Sequence, residues 1–121
     1  MNGAVVVTWG NVVHGREAKA FEVFGRALEH LDELAKTGRI FGHHEYFAQT
    51  GQGPTGIQII DGEATELKAL LDDDEFQHNV MAGSLIVEGL TVNLYAGGDA
   101  DSITQLVGQA MTVEQELGYL Q

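Results

Sequence analysis

The chain has 121 residues with one proline, sixteen glycines and no cysteine, and its 6 basic against 18 acidic side chains leave a net charge of −12. That length suits one domain with an ordinary core, and 44% hydrophobic residues exclude a disordered chain. The missing cysteines exclude disulfides, thiolate metal sites and a cysteine nucleophile, and the acidity argues against nucleic acid and anionic membrane surfaces, which demand clustered Lys and Arg.

Met1 to Val7 lacks a basic n-region and a long apolar run, and no stretch approaches the roughly 20 apolar residues that span a bilayer. The expected location is therefore the cytoplasm. Ala4 to Trp9 is β-branched and predicts a buried strand. Gly15 to Lys36 predicts a helix, because Phe21, Phe24, Leu28, Leu31 and Leu34/Ala35 recur at helical spacing. Its polar face offers Glu22 with Arg26 and Asp32 with Lys36 as i,i+4 pairs, and Gly38 stands where a C′ glycine belongs. Ile40 to Ala48 and Gly56 to Asp61 predict two more strands around a glycine-rich turn holding Pro54.

Asp61-Gly62 is expected to cap a helix whose inner face is Leu67, Leu70 and Leu71. The run Asp72-Asp73-Asp74-Glu75 breaks that pattern, and Phe76, Val80 and Met81 resume it in a second piece ending at Gly83. Carboxylates suit the new N-terminus, where they accept orphan N–H groups. Leu90 to Tyr95 alternates as a fourth strand. Asp101 to Leu117 predicts a last helix, with Ile103, Leu106, Val107, Ala110 and Met111 on one stripe and Asp99 or Asp101 as cap.

The order β-α-β-β-α-β plus a helix is a ferredoxin-like, α+β arrangement: a four-stranded antiparallel sheet with both main helices on one face. One domain is expected over 1–121, with 1–98 as core and 99–121 as the C-terminal helix. The strands are apolar or aromatic at both parities, as in Val5, Val6, Val7 and Trp9, or Phe41, Tyr46 and Phe47. The second face then needs a cover, most simply a second copy related by a two-fold axis.

The stretches Gly15–Phe24, Gly38-Arg39-Ile40, Asp74–Gln77 and Val87–Val92 resemble the dimeric α+β barrel superfamily, and within it a group of small bacterial proteins. The resemblance implies a homodimer with a cavity between its sheets. Such barrels include cofactor-free monooxygenases, lactone isomerases, haem enzymes and plain ligand-binding modules, so the fold does not choose the function.

His43-His44-Glu45-Tyr46 carries the densest candidate chemistry. On a strand His44 and Tyr46 share one face and His43 and Glu45 the other, and an imidazole beside a carboxylate or phenol suits general acid–base work. If the aliphatic residues of the other strands face the helices, Gln58, Thr91, Asn93 and Tyr95 face the dimer side and line the cavity there with either His43 and Glu45 or His44 and Tyr46, with Trp9 at its mouth. Three functions follow as expectations. One is a module binding a small, largely apolar or aromatic molecule. Another is a cofactor-independent monooxygenase or isomerase with His43 or His44 as base. The third is a structural dimer with a filled interior.

No metal site is expected, since no histidine pair has ligand spacing and Asp72–Glu75 lacks a calcium-loop pattern. No cofactor is expected either. The haem-degrading barrels place a histidine on the second helix and a tryptophan on a strand. Here His78 is on that helix, but Ile57–Asp61 has no tryptophan, which departs from that pattern.

Overall fold

The computed structural model describes residues 1–118, so the end of the segment expected as helix to 121 lies outside the described residues. The elements are β1 (Asn2–Trp9), α1 (Glu17–Lys36), β2 (Gly42–Phe47), β3 (Gly56–Glu63), α2 (Ala64–Leu71), α3 (Asp74–Ser84), β4 (Thr91–Ala96) and α4 (Ala100–Glu116). The strands form one antiparallel sheet in the order β2-β3-β1-β4. The fold is α+β and ferredoxin-like, as the element order predicts.

Helix ends follow from local chemistry. Gly38 adopts φ +76, a left-handed conformation that closes α1 and that other residues enter only with strain. The break at Asp72 is real, and Asp73 caps α3 by accepting the Phe76 N–H at 2.9 Å. Glu63, not Asp61, caps α2, accepting from Thr65 and Glu66. Asp99 caps α4 through the Ser102 N–H at 2.6 Å.

Register decides which face each strand residue takes. Val5 pairs with Ile60 and Leu94, and Val7 with Gln58 and Val92. These residues face the helices together with His43 and Glu45, which lie opposite Ile60 and Gln58. The core there joins Val5, Val7 and Ile60 to Leu31, Leu34, Leu67, Leu70 and Phe76. Removing this apolar surface from water drives the packing.

The other face is uncovered by the described helices. It carries Val6, Ile57 and Ile59 at its centre, flanked by His44 and Tyr46 on β2 and by Thr91, Asn93 and Tyr95 on β4. Helix α4 is anchored at its start, where Ser102 is buried and accepts the Asn2 N–H at 2.8 Å. Beyond that anchor Ile103, Val107, Met111 and Leu117 are exposed. None of the described helices is long and apolar enough to cross a membrane.

Candidate functional site

A cavity of about 350 Å³ lies between the covered face of the sheet and helices α1 and α3. This is the opposite face of the sheet from the one on which the sequence places a cavity. Its size falls within the usual range for small-molecule sites. One end is aromatic: Trp9, Phe24 and Phe47 pack edge-on or tilted, with ring centroids 5.7–6.0 Å apart. Gly56 makes that arrangement fit. A Cβ there would stand 2.2 Å from Trp9 Cε2, so only glycine lets the indole lie against the neighbouring strand.

Two loops close one side. Residues 10–13 pair with 86–88 through Gly10 N–H to Glu88 O at 2.7 Å, Val13 N–H to Ile86 O at 2.8 Å and Glu88 N–H to Asn11 O at 2.9 Å. Arg16 adds a hydrogen bond to the Leu85 carbonyl. The apolar side chains of Val12, Ile86 and Val87 from this ribbon line the cavity. Phe21, 81% exposed, marks where the cavity meets solvent.

Three buried polar side chains interrupt the apolar wall: His30 on α1, Asn79 on α3 and Gln58 on β3. His30 is only 9% exposed. Its Nε2 lies 3.4 Å from Asp73 Oδ2 and 3.8 Å from Glu75 Oε2. Its Nδ1 is buried with no hydrogen-bond partner among the described residues. Buried polar atoms are nearly always paired, which makes this nitrogen an exception.

Gln58 is held from behind. Its Nε2 donates to Glu45 Oε2 at 3.1 Å, and that carboxylate also lies 2.6 Å from His43 Nδ1. His43 Nε2 in turn lies 2.6 Å from Asp32 Oδ1. Burial alone would lower the His43 pKa, but its hydrogen bonds to Asp32 and Glu45 and the charges of both carboxylates outweigh that and raise it. The network runs from α1 through β2 to the cavity wall.

The sequence-predicted residues therefore divide. Trp9 and Gln58 line the cavity. Gln58 does so from the helix-covered face, not the dimer side. Both parities of Gly56–Asp61 carry isoleucine, and pairing with Val5 and Val7 turns Gln58 and Ile60 inward. His44, Tyr46, Thr91, Asn93 and Tyr95 stand on the open face, away from the cavity. His43 is on the covered side but outside the lining, with both ring nitrogens against carboxylates. Asp32, expected to pair with Lys36, binds His43 instead, and Glu22 meets Lys19 at 3.1 Å rather than Arg26.

His30 and Asn79 are the residues that sequence reasoning missed. Each had a signal: His30 falls three residues after Ala27 and four before Leu34, on the buried stripe of α1. Asn79 is placed likewise between Phe76 and Gly83 on α3. His78, weighed as a haem ligand, is exposed. Among the described residues, no three His, Asp or Glu side chains are grouped to hold a metal ion.

No family model matches the chain, and no curated protein matches it. Solved structures do match in fold. A cofactor-independent oxygenase, SnoaB of Streptomyces nogalater, superposes with a TM-score of 0.60 at 15% identity, over 82% of this chain and 95% of that one. A dimeric ferredoxin-like protein of unknown function from Bacteroides fragilis does so with a TM-score of 0.57 at 10% identity, over 78% and 94%. These matches show that the fold is ferredoxin-like.

Proposed function

We propose that the protein is a homodimer that binds a small, largely apolar, aromatic molecule in the cavity of each protomer. The observation that carries this reading is the aromatic trio Trp9, Phe24 and Phe47 at one end of a cavity that also holds three polar groups. Aromatic rings favour edge-to-face contacts with a flat ligand, and a few polar groups orient it.

Trp9 is the only tryptophan, so its fluorescence reports the cavity directly. Titration with planar aromatic compounds is expected to change that emission saturably, and Ala27→Leu, which fills the cavity, is expected to abolish the change. No response to any aromatic compound, or the same response in Ala27→Leu, would contradict ligand binding there.

Dimerisation through the open face is supported by its apolar centre, by the exposed stripe of α4 and by the dimeric neighbour of the same fold. Light scattering is expected to give twice the chain mass for wild type and the monomer mass for Ile59→Lys, which places a charge at the centre of that face. A wild-type monomer would remove the dimer from the account.

A second reading, cofactor-independent oxygenation of the bound aromatic, is favoured by the SnoaB fold match together with a buried histidine in the cavity. Oxygen uptake with the aromatic compounds that bind tests it. Absence of uptake with ligands that do bind would leave a binding module.

A further inference from the structure

Resting on that cavity reading, we propose that the Asn79 side-chain amide recognises a neutral, planar nitrogen heterocycle through an adjoining donor and acceptor, such as the N–H and C=O of a ring lactam. Asn79 stands on the inner face of α3 with Phe76 and Gly83 and is 8% exposed. Burying an amide costs free energy unless new hydrogen bonds replace those it made to water. None of the described hydrogen bonds reaches the Asn79 side-chain oxygen or nitrogen. Yet among the described residues His30 Nδ1 is the one side-chain nitrogen or oxygen that is both fully enclosed and unpaired. The Asn79 amide atoms therefore keep an opening, and the opening that Asn79 lines is the cavity. Leucine, of similar size, would fill the same place on the helix without that cost.

The unpaired amide specifies its complement. Its oxygen accepts and its NH₂ donates, side by side in one plane. A ring edge with a donor next to an acceptor meets both at once, as asparagine meets adenine in nucleic acids. A lone hydroxyl or ketone leaves one of the two unmet. Exchange of the amide oxygen and nitrogen preserves the pair, so the match does not depend on which way the amide is turned. Gln58 adds a further acceptor to the wall, since Glu45 occupies its NH₂ at 3.1 Å.

Charge narrows the class. Among the described residues Glu17 lines the cavity and no lysine or arginine does. Behind the wall, Glu45 stands beside Gln58 and Asp73 lies 3.4 Å from His30. Arg16, the neighbour of Glu17 in sequence, is turned to the Leu85 carbonyl. An anion would lose its water here among carboxylates with no cation to pair it, so the ligand is neutral. The aromatic trio favours a flat ring, and about 350 Å³ admits a bicyclic one.

The test is calorimetric titration of the full chain with four probes: quinolin-2-one, its 1-methyl and 3-methyl forms, and quinoline-2-carboxylate. The 1-methyl form loses the ring N–H, whereas the 3-methyl form keeps it and controls for size. Wild type is expected to bind quinolin-2-one and the 3-methyl form alike, the 1-methyl form at least about tenfold more weakly, and the carboxylate most weakly. Asn79→Leu is expected to fold, since the amide it removes makes no described hydrogen bond, and to bind the two methyl forms within about twofold of each other. Asn79→Ala, which also lacks the amide, gives the same comparison if Asn79→Leu does not fold.

A 1-methyl form that binds wild type as tightly as the 3-methyl form would overturn the proposal. So would a tenfold preference that survives loss of the Asn79 amide, or a carboxylate that binds tightest of the four. Wild type that binds none of the quinolinones would instead overturn the cavity reading on which the proposal rests.

Discussion

Two histidines lie on the covered side of the sheet, each beside two carboxylates, and they differ in what is left over. His43 has both ring nitrogens engaged, at 2.6 Å from Asp32 and 2.6 Å from Glu45. His30 meets Asp73 and Glu75 through Nε2 alone, at 3.4 and 3.8 Å, and keeps a bare Nδ1. The first ties α1 to β2 and steadies Gln58. The second belongs to the cavity wall and has one ring nitrogen buried without a hydrogen-bond partner among the described residues. Carboxylates beside a histidine therefore do not mark a functional site by themselves. A buried ring nitrogen without a partner is the rarer feature.

That contrast breaks most sharply in stability. Glu45→Leu strands the His43 and Gln58 donors together and is expected to lower the unfolding free energy by about 2 kcal/mol. An unchanged urea midpoint would show that the network holds nothing. His30→Leu is expected to act with the opposite sign. It replaces an orphaned buried polar atom with an apolar side chain of similar size, and should raise stability by about 1 kcal/mol. A loss resembling that of Glu45→Leu would make His30 structural and erase the distinction.

pH sharpens the same comparison. The folded-state pKa of His43 lies above the ordinary value of 6.5, so its protonated form stabilises the fold. That contribution is fully present below the unfolded value and is lost as pH rises from there through the raised folded value. Urea midpoints are expected to fall across this window in wild type, and the fall is expected to shrink in Glu45→Gln. Asp32 is more than half exposed, so Asp32→Asn is expected to cost less than about 1 kcal/mol. His14 is fully exposed, and His14→Ala is expected to leave the urea midpoint unchanged, which calibrates the series.

Much of the fold was legible because the elements announce themselves locally. Gly38 ends α1, the acidic run breaks α2 from α3, and Asp99 opens α4. The site was legible only in part. Trp9 and Gln58 were named, but isoleucine at both parities of β3 concealed which way Gln58 turns, and only pairing with Val5 and Val7 decides it. His43 and His44 drew notice because adjacent histidines on a strand are conspicuous. His30 sits alone in a helix whose other polar residues are mostly solvated, so its burial is visible only by tracing the stripe through Ala27, Leu31 and Leu34. Asp32 reads as a surface charge until β2 brings His43 beside it.

Long-range ¹H–¹⁵N NMR of the histidine rings, recorded at mildly alkaline pH before and after adding 2-naphthol, tests the central contrast most directly. The expected result is that the ring resonances of His30, a residue of the cavity wall, move when 2-naphthol binds, while the His43 resonances stay in place. A response at His43 with none at His30 would contradict the account.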